Sequence, residues 1–121
     1  MSYRNVSLSV ACVFLSLCIT LVLIPDVVYW LFGLEGNELG DFLAKRAGVL
    51  FFGFAVLCFG FRNSADKQVQ STVAVVVGTS MGLMALLGIF ELVRGNSNFG
   101  ILLAVFVEGA IAFLFLRFRS P

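Results

Sequence analysis

The sequence predicts an all-α polytopic membrane protein: an antiparallel four-transmembrane-helix bundle forming one domain over residues 1–121. Four apolar runs fill nearly the whole chain, each about as long as the ~20 residues a helix needs to cross a bilayer. The residues between the runs are few and polar. The composition agrees, with 60% hydrophobic and 12% charged residues and a mean hydropathy of +1.06. A soluble domain carries about 25% charged residues.

Helix 1 is expected from Val6 to Phe32. At ~1.5 Å per residue it exceeds a ~30 Å hydrocarbon core, so it has to tilt, kink or emerge. Pro25 is the obvious break, because it lacks a backbone donor and its ring clashes with the preceding turn. Asp26, Tyr29 and Trp30 follow it, and Tyr and Trp favour the membrane–water interface. The stretch after Arg4 begins like a signal peptide, but it runs on with no small-x-small cleavage site and reads as a retained helix. A loop carrying Glu35, Glu38 and Asp41 leads to helix 2, expected from Phe42 to Phe61. A short loop with Arg62 and Lys67 leads to helix 3, from Val69 to Leu92. The turn Arg94-Gly95-Asn96-Ser97-Asn98 leads to helix 4, from Phe99 to Leu116.

Orientation follows from the basic residues. Arg4, Arg62, Lys67, Arg117 and Arg119 fall on one side; Lys45, Arg46 and Arg94 fall on the other. The excess of Lys and Arg marks the cytoplasmic face, which places both termini inside. Short connections make consecutive helices antiparallel neighbours.

The net charge of +1 gives no case for nucleic-acid binding. The chain has no histidine. Imidazole ligation of haem, zinc or copper is therefore excluded, as are histidine-based nucleophile pairs. Cys12, Cys18 and Cys58 lie inside apolar runs without a CxxC spacing, and read as small buried hydrophobes. No catalytic residue, cofactor or metal is expected, and the chain is not expected to be an enzyme.

In lipid, helices associate by close packing, and small residues let backbones approach. Ala74, Gly78 and Gly82 form such a ridge on helix 3, and Gly100, Ala104 and Ala112 form one on helix 4. Cys12, Ser16 and Thr20 do so on helix 1, and helix 2 has Gly53 and Gly60 seven apart and Ala44 and Gly48 four apart. The position missing from the helix 4 ridge is Glu108, near mid-span. A charge there costs about 2.5–3.5 kcal/mol on insertion scales, so such a residue faces protein or water and has a partner. Arg46 is the expected partner, sharing a period-seven face with Gly53 and Gly60 and long enough to reach inward. Asp26, Lys45, Glu91 and Arg94 are secondary interfacial charges, and Glu91 and Arg94 are spaced to pair locally. A buried pair of this kind either fixes helix register or marks a proton or cation path.

The stretch from Trp30-Leu31-Phe32-Gly33 through Ala44-Lys45-Arg46-Ala47-Gly48-Val49-Leu50 resembles small four-helix bacterial inner-membrane proteins that have no defined activity. In these, an outer loop is followed by a basic residue and a glycine opening helix 2. The resemblance implies a bacterial inner-membrane setting. The layout is also similar to small multidrug exporters, but those carry an essential acid in helix 1. Here helix 1 has no acid before Asp26, beyond the Pro25 break. Two functions are expected on these grounds. One is a non-catalytic accessory or scaffold subunit, with membrane lipid and other subunits or copies of itself as partners. The other is a small oligomeric proton-coupled transporter or channel using Glu108.

Overall fold

The computed structural model describes residues 2–119, which form five helices and, among the described residues, no strand. Helix α1, Tyr3–Leu23, opens three residues before the expected start because Ser2 caps it, its Oγ accepting the Asn5 N–H at 3.2 Å. The single helix expected from Val6 to Phe32 is two. Pro25 ends the first and opens α2, Asp26–Phe32, where its carbonyl accepts the N–H groups of Val28 and Tyr29. Helix α2 stops at Gly33, whose φ of 73° suits glycine, and the Leu34 N–H closes the turn on the Tyr29 carbonyl at 2.8 Å.

Helix α3 runs Glu38–Gly60. It starts before Phe42 because Asn37 caps it, accepting the Gly40 N–H at 2.6 Å, and because Glu38 and Asp41 complement the positive helix end. Helix α4, Lys67–Val93, is capped by Asp66, which accepts the Gln68 N–H at 2.9 Å. It closes on Gly95, at φ 80°, with the Asn96 N–H on the Glu91 carbonyl. Helix α5 is Ile101–Leu116.

Three helices, α1, α3 and α4, are long and apolar enough to cross a membrane. Helix α5 has 16 residues, ~24 Å at ~1.5 Å per residue, and falls short of the length expected of a fourth span. It is short because Phe99 and Gly100, expected to open it, belong to the preceding turn.

Helix α1 packs along α3, and α4 along α5; the two pairs meet more sparingly, α1 against α5 and α3 against α4. Both pairs are antiparallel. Phe14 stacks with Phe51 of α3 at 5.7 Å and packs tilted against Phe54 at 5.5 Å, while Gly48, nearer the start of α3, lies against Cys18 and Val22 of α1. Gly78 lies against Leu116, and Gly88 against Ile101 and Val105. A common core joins the four longer helices through Tyr3, Val6, Phe14, Cys58, Val77, Met81, Ile111 and Phe115. It sits toward the end of the bundle that holds residues 2, 61–66 and 117–119, called here the inner end.

At the opposite, outer end, the pairs are joined by a polar clasp. The Ser97 hydroxyl and the Asn98 N–H both donate to the Phe32 carbonyl at 2.9 Å. Gly33 lies under the Asn98 side chain, and a Cβ at Gly100 would run into the Leu31 carbonyl.

Candidate functional site

Glu108 lies on the inward strip of α5. At ~100° per residue, Ile101, Glu108, Ala112 and Phe115 fall within a strip about 60° wide. Ile101, Ala112 and Phe115 are buried, while Leu103, Phe106 and Phe113 on the far side are exposed. Glu108 shares the buried strip yet is itself only half-buried. The common core takes in Ile111, Ala112 and Phe115 on α5, and Val107, the neighbour of Glu108 in sequence, packs against it. Glu108 borders that core without belonging to it. Among the described residues it has no hydrogen-bond or ion-pair partner.

The structure does not bring Arg46 to Glu108. Arg46 is exposed, and its guanidinium lies over the Phe42 ring, 5.8 Å from the centroid. Helix α3 turns Ala44, Gly48, Phe51, Ala55 and Cys58 toward its neighbours, a seam of alternating four- and three-residue steps. The face carrying Arg46, Gly53 and Gly60 looks away, with open space at both glycines. Two small residues early on α3, Ala44 and Gly48, decide the contact, and Arg46 lies off their seam.

The secondary charges also differ from simple pairing. Glu91 accepts from the Asn96 side chain at 2.7 Å, while the Arg94 guanidinium lies over Phe90 at 5.4 Å. Lys45 is exposed, and Asp26 is exposed beside Gly36. On α4, Ala74 and Gly78 are buried and Gly82 is half-buried. A Cβ at Gly78 would stand 2.7 Å from Leu116 Cγ, and one at Gly82 3.9 Å from the Ala112 methyl. Ala112 is buried and Ala104 half-buried. Gly100 meets the α2 backbone in the clasp rather than a neighbouring long helix. On α1, Cys12 and Ser16 are exposed and Thr20 is half-buried; Cys12 lines a shallow apolar groove with Phe52 and Val56.

Sequence reasoning passed over three polar features. The first is the clasp of Ser97 and Asn98, whose signal was the Gly33 and Gly95 stop positions at two helix ends. The second is a buried pair on α1, the Tyr3 and Ser7 hydroxyls, one helical turn apart, which have no partner beyond each other among the described residues. Their signal was the spacing Tyr3, Ser7, Val10, Phe14 on one helix strip. The third is Tyr29, whose hydroxyl donates to Asp41 at 2.9 Å and ties α2 to α3. Partial burial, that hydrogen bond and the negative charges of Asp41 and Asp26 push the Tyr29 hydroxyl above its ordinary pKa.

Comparison with protein-family models, with characterised proteins and with solved structures finds no match.

Proposed function

We propose that this chain is a four-span integral membrane component of a bacterial inner membrane, with both ends at the cytoplasmic face. It acts as a non-catalytic accessory or scaffold subunit in a larger membrane assembly. The side-chain distribution supports this. Large apolar side chains such as Leu50, Val93 and Phe106, 70%, 80% and 75% exposed, point outward from α3, α4 and α5. A soluble monomer rarely leaves contiguous patches of this kind in water. The connections between helices are short, and Asn37, Asp66, Ser97 and Asn98 within them are taken up by helix caps and the clasp. Helix α5 serves as the fourth span, with Phe99 and Phe118 extending its apolar length and local thinning of the bilayer taking up the remainder.

Purification from native membranes in mild detergent tests this. A stable complex containing other membrane proteins is expected, and a monomer alone under several mild detergents would overturn it.

Glu108 favours a second reading, a small proton-coupled transporter. A half-buried carboxyl on an inward strip, without a protein partner, is the kind of group that marks an ion path. Reconstituted vesicles would then show proton flux, and Glu108→Gln would abolish it with the assembly intact. Flux unchanged in Glu108→Gln would remove this reading.

A further inference from the structure

We infer that the groove between α1 and α3 holds one acyl chain of an anionic phospholipid, whose phosphate is held at the inner end by Arg4 and Arg62. This rests on the reading of the chain as a membrane protein and is independent of whether it serves as a subunit or a transporter. The groove has a volume of about 400 Å³ and a wholly apolar lining. Its floor is Ala11 and Ala55, both buried, whose methyl groups leave the space above them unfilled. Leu8 and Leu15 of α1 and Phe52 and Phe59 of α3 rise on either side.

Size selects the occupant. The α3 wall from Phe52 to Gly60 is ~12 Å long at ~1.5 Å per residue, which gives the groove a mean cross-section of about 33 Å². A helix with its side chains is ~10–12 Å across, roughly 80–110 Å² in section, and does not enter. One extended hydrocarbon chain does. The length also fits a single leaflet, because Arg4 to Leu15 covers ~16 Å, about half of a ~30 Å hydrocarbon core. Farther out the two helices close on each other at Gly48, where a Cβ would stand 2.7 Å from Val22 Cγ2.

Charge selects the headgroup. Arg4 stands one turn before Leu8 on the same strip of α1, and its Nε–H donates to the Asn63 side chain at 2.8 Å, so it spans both walls at the inner end of the groove. The Arg62 guanidinium lies over the Phe59 ring, 3.8 Å from its centroid, and donates one N–H to the Phe59 carbonyl at 2.6 Å. Neither arginine has an ion-pair partner among the described residues. Each keeps further N–H donors for the oxygens of a phosphate, which a guanidinium fork engages in pairs. Asp66, the acid of that end, is turned to α4: it caps that helix and lines the groove on the other side of α3, with Leu57 and Val73. That second groove, of about 370 Å³, has an acid where the first has two bases, which makes it an internal comparison.

The full chain reconstituted in phosphatidylcholine vesicles tests this. The probe is phosphatidylglycerol carrying a diazirine midway along one acyl chain, added as a minor fraction, and adducts are located by mass spectrometry after irradiation. Adducts are expected to concentrate on residues 8–15 and 52–60, the two walls of the groove. Arg4→Gln with Arg62→Gln should lower them roughly 25-fold, about fivefold for each basic group lost. Arg4→Lys with Arg62→Lys should keep most of them, because the charge stays. Gly60→Leu, which has open space at its Cβ, should fill the groove and lower them with the helical circular dichroism unchanged. The same diazirine on phosphatidylcholine, whose phosphate is neutralised by its own ammonium, should label the groove weakly. Equal labelling by the two lipids, labelling unaffected by the paired Arg→Gln substitutions, or adducts no denser here than in the Asp66 groove would overturn the inference. So would a groove left unlabelled beside adducts at outward-facing Leu50 and Phe106, the pattern given by a second copy covering it. Protein recovered in the aqueous fraction without any lipid adduct would overturn the membrane reading itself, and the inference with it.

Discussion

A single residue, Tyr29, ties the short helix α2 to the start of α3, and its chemistry gives the bundle an alkaline edge. Its hydroxyl donates to Asp41, and its pKa is raised by partial burial, by that bond and by the charges of Asp41 and Asp26. A raised pKa means that the protonated form is favoured in the fold. The stabilisation is complete below the ordinary tyrosine value of about 10, and is lost as pH rises through the elevated one. The melting temperature in detergent should therefore fall more steeply above about pH 10 for the native chain than for Tyr29→Phe. Near neutral pH, Tyr29→Phe should melt lower. Parallel melting curves across the alkaline range would show that the Tyr29–Asp41 bond contributes nothing. At this scale Glu108 was legible, because one acid in an apolar run has few places to go. Its surroundings were not legible, because depth alone did not say which face of α3 carries Arg46. That was decided by Ala44 and Gly48, two residues whose small size has to be weighed against the equally small Gly53 and Gly60.

Among the helices, the glycines separate two effects that sequence cannot. Gly78 and Gly53 both sit inside helices, where glycine costs about 0.8–1.0 kcal/mol relative to alanine. Gly78 has Leu116 and the Ala112 carbonyl against it, whereas Gly53 has open space. Gly78→Leu recovers the propensity but overpacks the α4–α5 seam, which costs about 1–3 kcal/mol, so a net loss is expected. Gly53→Ala recovers the propensity without a clash and should stabilise the isolated protein by up to about 1 kcal/mol. Thermal melting of the two variants in one detergent checks both signs. Gly78→Leu melting above the native chain would mean that the seam is not the close contact described. The order and type of the helices were readable from the apolar runs and the caps. Pro25 announced a break, although only the structure shows that it makes two helices rather than a kinked one. The shortness of α5 was hidden, because Phe99 is as apolar as the helix that follows and the clasp holding it outside depends on Asn98 and Ser97 meeting a carbonyl 65 residues away in sequence.

For the molecule as a whole, orientation follows from the charge pattern. If the five basic residues of the inner end lie in the cytoplasm, then the clasp and the acidic loops face outward. Reporter fusions placed after Asn37, Ala65 and Pro121 would read this directly. The Asn37 fusion should report the outside, and the fusions at Ala65 and Pro121 the cytoplasm. The result is sensitive to α5, whose 16 residues leave it outside the three helices long and apolar enough to cross a membrane. Were α5 to lie along the surface instead of crossing, the Ala65 reporter would stay inside while the Pro121 reporter moved outside. That outcome would also carry Arg117 and Arg119 to the outer side and leave the positive excess with Arg4, Arg62 and Lys67 alone. The tight contacts of Gly78 with Leu116 and of Gly88 with Val105 argue for crossing, because they hold α5 antiparallel to α4 along its length. An α5 at the surface would have to abandon both contacts and place the Glu108 strip at the interface. An outside report at Pro121 would thus remove the four-span architecture, which requires inside reports at both Ala65 and Pro121.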